Sequence, residues 1–155
     1  MTATPGIAAT RAFFDEMAPR YDADLLDLGW DPRALVQAWP WVIPPGASVL
    51  DAGCGTGALL ETVAGAGREL SGFDLSPQML VQARRRRTLR EADLREASAS
   101  EPWPFDDAMF DRVFALAMLE FVERLDVALD EVARLLRPWG RALVTVEDVR
   151  CMGGI

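Results

Sequence analysis

The sequence predicts an α/β fold in which a doubly wound, mostly parallel sheet carries helices on both faces. Short apolar runs suited to buried strands alternate with longer segments of helical spacing. A glycine-rich turn follows the first of these runs and precedes a helical segment. The length of 155 residues favours a single compact unit, and the strand–helix–strand order implies right-handed crossovers.

The first part of the chain is predicted to be a helical cap. Apolar residues recur at three- and four-residue steps through residues 8–39, with a break at Pro19. A further short helix is expected to begin after Asp31, which a proline follows. We therefore divide the chain into an N-terminal helical cap, residues 1–45, and a sheet domain, residues 46–155.

Five strands and three helices are predicted in the sheet domain. The strands are SVLDAG, ELSGFDL, a weak TLREAD, FDRVFALAM and RALVTVE. The helices are GALLETVAGAG, SPQMLVQARRRR with Ser76 as its N-cap, and RLDVALDEVARLLR. The arginine run at 84–87 is interpreted as a solvated helix end. The last helix carries a stripe that we expect to face the core: Leu125, Leu129, Val132 and Leu136.

Composition excludes several classes of function. The net charge of −8 disfavours binding to a nucleic-acid backbone. Histidine is absent, and Cys54 and Cys151 form no CxxC pair, so neither a metal site nor a disulfide framework is predicted. No run of residues reaches the length of a membrane span, and the N-terminus has no signal-peptide pattern. We therefore expect a cytoplasmic protein with no membrane or nucleic-acid partner.

The stretch VLDAGCGTG, residues 49–57, indicates a ligand site. Parallel sheets bind ligands at the carboxyl ends of their strands, and glycines there let a ligand lie against the backbone. The spacing G-x-G-x-G differs from the G-x-G-x-x-G of dinucleotide sites. Asp51 would repel a pyrophosphate but suits a cationic ligand such as S-adenosylmethionine. A purely structural glycine turn is the alternative.

Two further acids follow predicted strands. Asp74 ends the second strand, where a carboxylate can accept hydrogen bonds from the ribose hydroxyls of an adenosine ligand. A helix cap is the alternative role, but Ser76 already fills it. Asp93 is expected to end the third strand and to meet an adenine amino group, with Leu94 packing on the ring. A solvated turn acid is the alternative for Asp93.

These motifs resemble those of the class I S-adenosylmethionine-dependent methyltransferases that act on small molecules. The resemblance runs from about residue 10 to residue 148 and includes VLDAGCGTG, GFDLSPQML and ALDEVARLLRPWGRALVTV. It implies a Rossmann-like core and S-adenosylmethionine as cofactor. It also implies these cofactor-binding residues: Tyr21, Asp51, Ala52, Gly53, Cys54, Gly55, Gly57, Asp74, Leu75, Met79, Asp93, Leu94 and Leu116.

Methyl transfer from a sulfonium needs alignment more than acid–base chemistry, because the leaving thioether is neutral. A base is required only when the acceptor must first lose a proton. Without histidine, the candidates for such a role are Glu120, Glu147 and Tyr21. The expected acceptor is a small organic molecule, since no basic surface or added domain suggests a macromolecule.

The chain departs from the family pattern near its end. The family sheet has seven strands, whereas five can be placed here, so the core is expected to be truncated after strand 5. The apolar edge of that strand would then be open to a second copy or a partner subunit. A non-catalytic module that only binds S-adenosylmethionine is the alternative function. Trp139 also stands where the family usually has a glycine in a turn.

Overall fold

A computed structural model describes residues 6–29, 31, 34, 36–37 and 43–146. Five strands form one sheet in the order β3-β2-β1-β4-β5, and every neighbouring pair is parallel. The strands are β1 Ser48–Ala52, β2 Glu69–Asp74, β3 Asp93–Glu96, β4 Phe110–Ala115 and β5 Leu136–Val144. The predicted fold class is confirmed, and the order reverses beside β1, where the glycine-rich turn leaves the sheet.

The helices form because of local signals that the sequence carries. They are α1 Ile7–Met17, α2 Tyr21–Asp27, α3 Ala58–Val63, α4 Pro77–Arg85 and α5 Leu125–Leu135. The break between α1 and α2 falls at Pro19, as predicted. Ser76 caps α4, since its hydroxyl accepts a hydrogen bond from the Met79 amide at 3.1 Å. Most of the helix predicted after Asp31 lies outside the described residues.

Two apolar clusters cover the two faces of the sheet. Side chains alternate along β1, so that Val49 joins one cluster while Leu50 joins the other. The first cluster includes the inner faces of α3 and α4, and the second includes that of α5. Burial of both faces explains why the strands are continuous apolar runs. Within the described residues, no helix combines the length and the apolar character needed to span a bilayer.

The third strand lies later in the chain than predicted. The segment TLREAD, residues 88–93, overlaps a short 3-10 turn, Arg87–Leu89, and β3 begins only at Asp93. Leu89 is buried at 2% exposure, which anchors the turn against the first apolar cluster. The register pairs Asp93 with Ser71 and Glu96 with Asp74. Asp93 therefore starts β3 instead of ending it, and the end of the strand is displaced by three residues.

The predicted core stripe of α5 is wrong in part. Leu125 and Leu129 are 41% and 43% exposed, and Leu136 belongs to β5. The residues that face the sheet are Ala128, Val132 and Leu135. Ala128 is fully buried at the centre of this face, and Leu125 and Leu129 lie outside it.

β5 begins with an irregular segment around Trp139. Its register with β4 shifts between the pairs Phe110–Leu136 and Arg112–Arg141. Trp139 has a φ of 69° and its side chain is 97% exposed. A glycine commonly occupies such a left-handed position because other residues place Cβ too close to the following carbonyl. Among the described residues, only β4 pairs with β5, which lies at the edge of the sheet.

Replacement of Trp139 by glycine should stabilise the protein. The substitution relieves a left-handed strain of about 1–2 kcal/mol, less the extra chain entropy of glycine, for a net gain of about 1 kcal/mol. The side chain is almost fully exposed, so little packing is lost. Urea unfolding measures the effect. Trp139→Ala, which keeps Cβ, is the matched control, and equal midpoints for the two variants would contradict the argument.

Candidate functional site

The turn after β1 forms one wall of the site. Gly55 has a φ of 51°, and a Cβ built on it would meet only the Tyr21 ring, at 3.8 Å. At Gly57 an added Cβ would lie 2.6 Å from the Leu89 side chain, so the turn also requires a glycine for internal packing. The backbone at Gly55 is consequently the part of the turn that a ligand can approach.

Asp74 holds this turn to the end of β2. Its Oδ2 accepts a hydrogen bond from the Gly55 amide, and its Oδ1 accepts one from the Ser76 amide, both at 2.8 Å. Burial raises the pKa of the Asp74 carboxyl, while these two amides act in the opposite direction. Two amide donors leave a carboxylate with capacity for further donors, such as a pair of hydroxyls.

Asp51 adds a second carboxyl beneath the turn. Its side chain is 4% exposed, and burial, followed by the charge of Asp74, raises its pKa well above the ordinary value. Burial likewise raises the pKa of the neighbouring Cys54 thiol. A cation bound here would relieve the repulsion between the two carboxylates.

Two adjoining cavities open at the carboxyl ends of β1, β2 and β4. They share Tyr21, Gly53, Gly55, Leu116 and Ala117. The first cavity is also lined by Ile7, Thr10, Phe14, Phe73, Asp74, Leu75, Met79, Ala97, Ser98, Ala99, Ser100, Met118, Phe121 and Val122. The second is also lined by Asp22, Leu25, Leu26, Asp31, Asp51, Cys54, Thr56, Ala58 and Leu59. A long ligand could lie along both cavities, with the glycine turn between them.

The helix α1 is attached over the first cavity by polar contacts. Arg11 Nε donates to the Leu75 carbonyl at 3.1 Å, and its guanidinium forms an ion pair with Glu96. Asp15 Oδ1 accepts from the Ser76 hydroxyl at 2.6 Å. The apolar face of α1 completes the cavity wall, where the Phe14 and Phe121 rings pack edge to face at 5.2 Å.

Tyr21 begins α2 and faces both cavities. Burial, with the charges of nearby carboxylates that include Asp74 and Glu120, raises the pKa of Tyr21 to about 12. The hydroxyl is therefore protonated at neutral pH and can donate a hydrogen bond, which makes Tyr21 unsuited to act as a base.

Most of the sequence-predicted site residues lie together, but Asp93 and Leu94 do not. Asp93 lies three residues before Glu96, which ends β3 and pairs with Asp74. At the usual rise per strand residue, Asp93 is therefore about 10 Å from the level of Asp74. The carboxylate pairs with Arg95, and Leu94 packs against the first apolar cluster. The residues that reach the cavity instead are 97–100, whose sequence is ASAS. The run of small residues after β3 was the signal in the sequence that could have indicated this part of the cavity wall.

Three other predicted residues, Ala52, Glu120 and Glu147, are not seen to line either cavity. Ala52 is buried in β1 and packs in the second apolar cluster. Glu120 lies in a short 3-10 turn, Leu119–Phe121, outside the lining of both cavities. Glu147 lies outside the described residues. Sequence reasoning also missed Thr145, whose hydroxyl accepts from the Ala117 amide at 2.8 Å and so supports the loop after β4.

Clusters of metal-ligating residues are not part of this site. Across the described ranges, no group of three or more His, Cys, Asp or Glu side chains could hold a metal ion. The backbone amides of Gly55 and Ser76 hold the Asp74 carboxylate, and Asp51 is buried within range of its charge. The chemistry of the site is that of an anionic cleft with apolar walls.

Comparison with known proteins agrees with this geometry. Residues 50–144 match the family described as "Methyltransferase domain". A demethylmenaquinone methyltransferase from Tropheryma whipplei is 34% identical over 143 residues, covering 88% of this chain and 58% of the relative. The chain thus spans less than two thirds of the length of that relative.

Two solved structures share the fold. A TehB-like SAM-dependent methyltransferase from Corynebacterium glutamicum has a TM-score of 0.67 at 27% identity, covering 86% of this chain and 72% of its own. A putative methyltransferase in a complex with the Haloferax volcanii Trm112 activator has a TM-score of 0.72 at 26% identity, covering 83% and 57%. With its glycine turn, its strand-end acid and its five-stranded core, this chain belongs to the class I S-adenosylmethionine-dependent methyltransferase family.

Proposed function

We propose that this chain transfers a methyl group from S-adenosylmethionine to a small organic acceptor. The observation that carries the proposal is the Asp74 carboxylate, bonded to the Gly55 amide and open to a cavity beside the glycine turn. That arrangement offers an acceptor for ribose hydroxyls next to a backbone that a ligand can touch. Family membership supports the same function.

The two cavities suit the two halves of the cofactor. The adenosine half would lie in the first cavity, with its ribose on Asp74 and its adenine between Leu75, Met79 and Ala97. The amino-acid half would follow Gly53 and Gly55 into the second cavity, toward the buried acid Asp51. Leu116 and Tyr21 line both cavities, so they would meet the part of the ligand that joins its two halves.

When bound, S-adenosylmethionine would supply a methyl group carried on a positively charged sulfur. The leaving group of the transfer is the neutral thioether that contains this sulfur. The protein's residues contribute alignment and the exclusion of water. Asp51 and Asp74 provide a negative field at the cationic end, and Phe14 and Phe121 shield the first cavity from solvent. Tyr21 can orient a ligand by donating a hydrogen bond. Glu120 and Glu147 stay candidates for orienting or deprotonating the acceptor.

The acceptor is proposed to be an aromatic molecule of low charge. The lining of the first cavity includes Ile7, Phe14, Phe121 and Val122, which are all apolar. Edge-to-face and stacked contacts with such rings favour a planar aromatic ligand. The demethylmenaquinone methyltransferase relative is named for a quinone acceptor, which fits the same chemistry. A hydroquinone or phenol of low pKa needs little help from a base.

The open edge of β5 is proposed to pair with a second copy of the chain or with a partner subunit. An unpaired apolar edge invites association, and a structural neighbour is known in a complex with an activator. Light scattering at high micromolar concentration tests the dimer, and a monomer would count against it. The cytoplasmic location expected from the sequence stays a prediction.

Asp74→Ala should weaken S-adenosylhomocysteine binding about a hundredfold, because it removes charge-assisted hydrogen bonds of roughly 1.5–3 kcal/mol each. Asp93→Ala is the matched control, since that acid starts β3 and lies away from both cavities. Calorimetric titration measures both affinities. Equal losses in the two variants would contradict the assignment, and circular dichroism checks that each variant is folded.

Methyl transfer itself is tested with labelled S-adenosylmethionine and a panel of hydroquinones, phenols and carboxylic acids. Label in a hydroquinone or phenol product supports the proposed acceptor class. Cofactor binding with no transfer to any member of the panel would favour the non-catalytic binding module.

Asp51→Asn should stabilise the ligand-free protein while it weakens cofactor binding. Burial raises the folded-state pKa of Asp51 above the ordinary value of 3.8. As the pH rises above 3.8, the unfolded carboxyl ionises first, which favours unfolding until the folded carboxyl also ionises. The stability advantage of the variant over the wild type should thus grow as the pH rises above 3.8, until the folded carboxyl also ionises, and urea unfolding at several pH values measures it.

The control for this pH dependence is Asp130→Asn, which changes an exposed acid on α5. That variant should follow the wild type across the same range. An Asp51→Asn variant whose advantage shrinks as the pH rises would show that the carboxylate is stabilised in the folded state, which is the opposite sign.

A further inference from the structure

Arg86 departs from the solvated helix end predicted for the arginine run. Arg84, Arg85 and Arg87 are exposed, as expected, whereas the Arg86 side chain is only 17% exposed. The chain leaves α4 at Arg86 with an extended backbone, at a ψ of 121°. This change of direction turns one guanidinium of the four inward, toward the glycine turn.

The Arg86 guanidinium joins three other segments. Its Nε donates to the Thr56 carbonyl at 2.7 Å, inside the glycine turn. One terminal nitrogen pairs with Glu61 on α3, and the other pairs with Asp22 on α2. The Asp22 carboxylate also accepts a hydrogen bond from the buried Thr56 hydroxyl. A planar guanidinium with five donors can serve all of these acceptors at once.

The cluster of Arg86, Asp22, Thr56 and Glu61 lies beside Tyr21, which faces both cavities. Asp22 follows Tyr21 in the first turn of α2, so whatever holds Asp22 also holds Tyr21. The Tyr21 ring lies close to Gly55, where a ligand would pass from the first cavity to the second. Asp22 and Thr56 themselves line the second cavity.

We propose that Arg86 is a positioning residue, which holds Tyr21 and the cap helix α2 against the glycine turn and thereby sets the affinity for the amino-acid half of the cofactor. The proposal rests on the proposed function of the two cavities. Without the guanidinium, the carboxylates of Asp22 and Glu61 would face each other with no cation between them. Their repulsion would move α2 away from Thr56 and open the second cavity.

A merely structural brace would act differently. It would change the stability of the protein, and it would weaken every ligand to the same extent. A positioning role predicts selectivity, because the first cavity, with Asp74, Leu75 and Met79, does not include the cluster. Tyr21 lines both cavities, so replacement of Arg86 should weaken binding of the adenosine half slightly and binding of the amino-acid half much more.

Calorimetry with two ligands tests the proposal. S-adenosylhomocysteine contains the amino-acid half, and 5′-methylthioadenosine lacks it. Arg86→Gln and Asp22→Asn should each weaken S-adenosylhomocysteine tenfold or more and change 5′-methylthioadenosine less than twofold. The double variant should lose little beyond either single variant, since both act through one contact. Arg85→Gln, the exposed neighbour, is the control and should bind both ligands as the wild type does.

Arg86→Lys separates charge from geometry and serves if Arg86→Gln does not fold. Lysine keeps the cation but cannot serve Thr56, Glu61 and Asp22 together, so it should recover only part of the affinity. Equal losses for both ligands, or unchanged affinity for S-adenosylhomocysteine, would overturn the proposal.

A second measurement needs no ligand. Hydrogen exchange across residues 17–24 should be faster in Arg86→Gln than in Arg85→Gln, because α2 is released from the turn. Equal exchange in the two variants overturns the positioning role of Arg86 even if the wild type binds both ligands. A wild type that binds neither ligand overturns the proposed function, and the selective effect with it.

Discussion

The hydrogen bond from the Gly55 amide to the Asp74 carboxylate joins the parts on which the site depends. It ties the turn after β1 to the end of β2, and the same carboxylate also receives the Ser76 amide that opens α4. The Ser76 hydroxyl in turn donates to Asp15 on the cap helix α1. One half-buried acid therefore sets the turn, the start of a helix and, through Ser76, the position of the cap.

Sequence reasoning succeeded where local chemistry decides the structure. The glycine turn, the Ser76 cap and the break at Pro19 follow from the steric and hydrogen-bonding properties of a few adjacent residues. The buried strands are equally clear, since helices cover both faces of the sheet and the runs are continuously apolar. These signals were sufficient to predict the fold and that Asp51, Gly55 and Asp74 lie at one end of the sheet, while their binding of the cofactor stays a prediction.

Elements whose position depends on partners were predicted less well. β3 is an edge strand with Asp93, Arg95 and Glu96 on it, so it has no apolar pattern, and only its pairing with β2 sets where it ends. The rotation of α5 buries the small Ala128 and leaves Leu125 and Leu129 exposed, which the apolar spacing alone did not indicate. Arg86 is one of four consecutive arginines, and only the change of chain direction after α4 distinguishes it from its exposed neighbours.

The arrangement places negative charge where a ligand, instead of the protein, can neutralise it. Burial raises the pKa of both Asp51 and Asp74, which means that each is less favourable as a carboxylate in the ligand-free fold. Asp22 and Glu61, a short distance away, are compensated within the protein by Arg86. A site that compensated Asp51 and Asp74 in the same way would be more stable, but it would have no electrostatic preference for a cation. Backbone amides offset part of this stability cost at Asp74, and binding of a sulfonium and an ammonium would offset more of it.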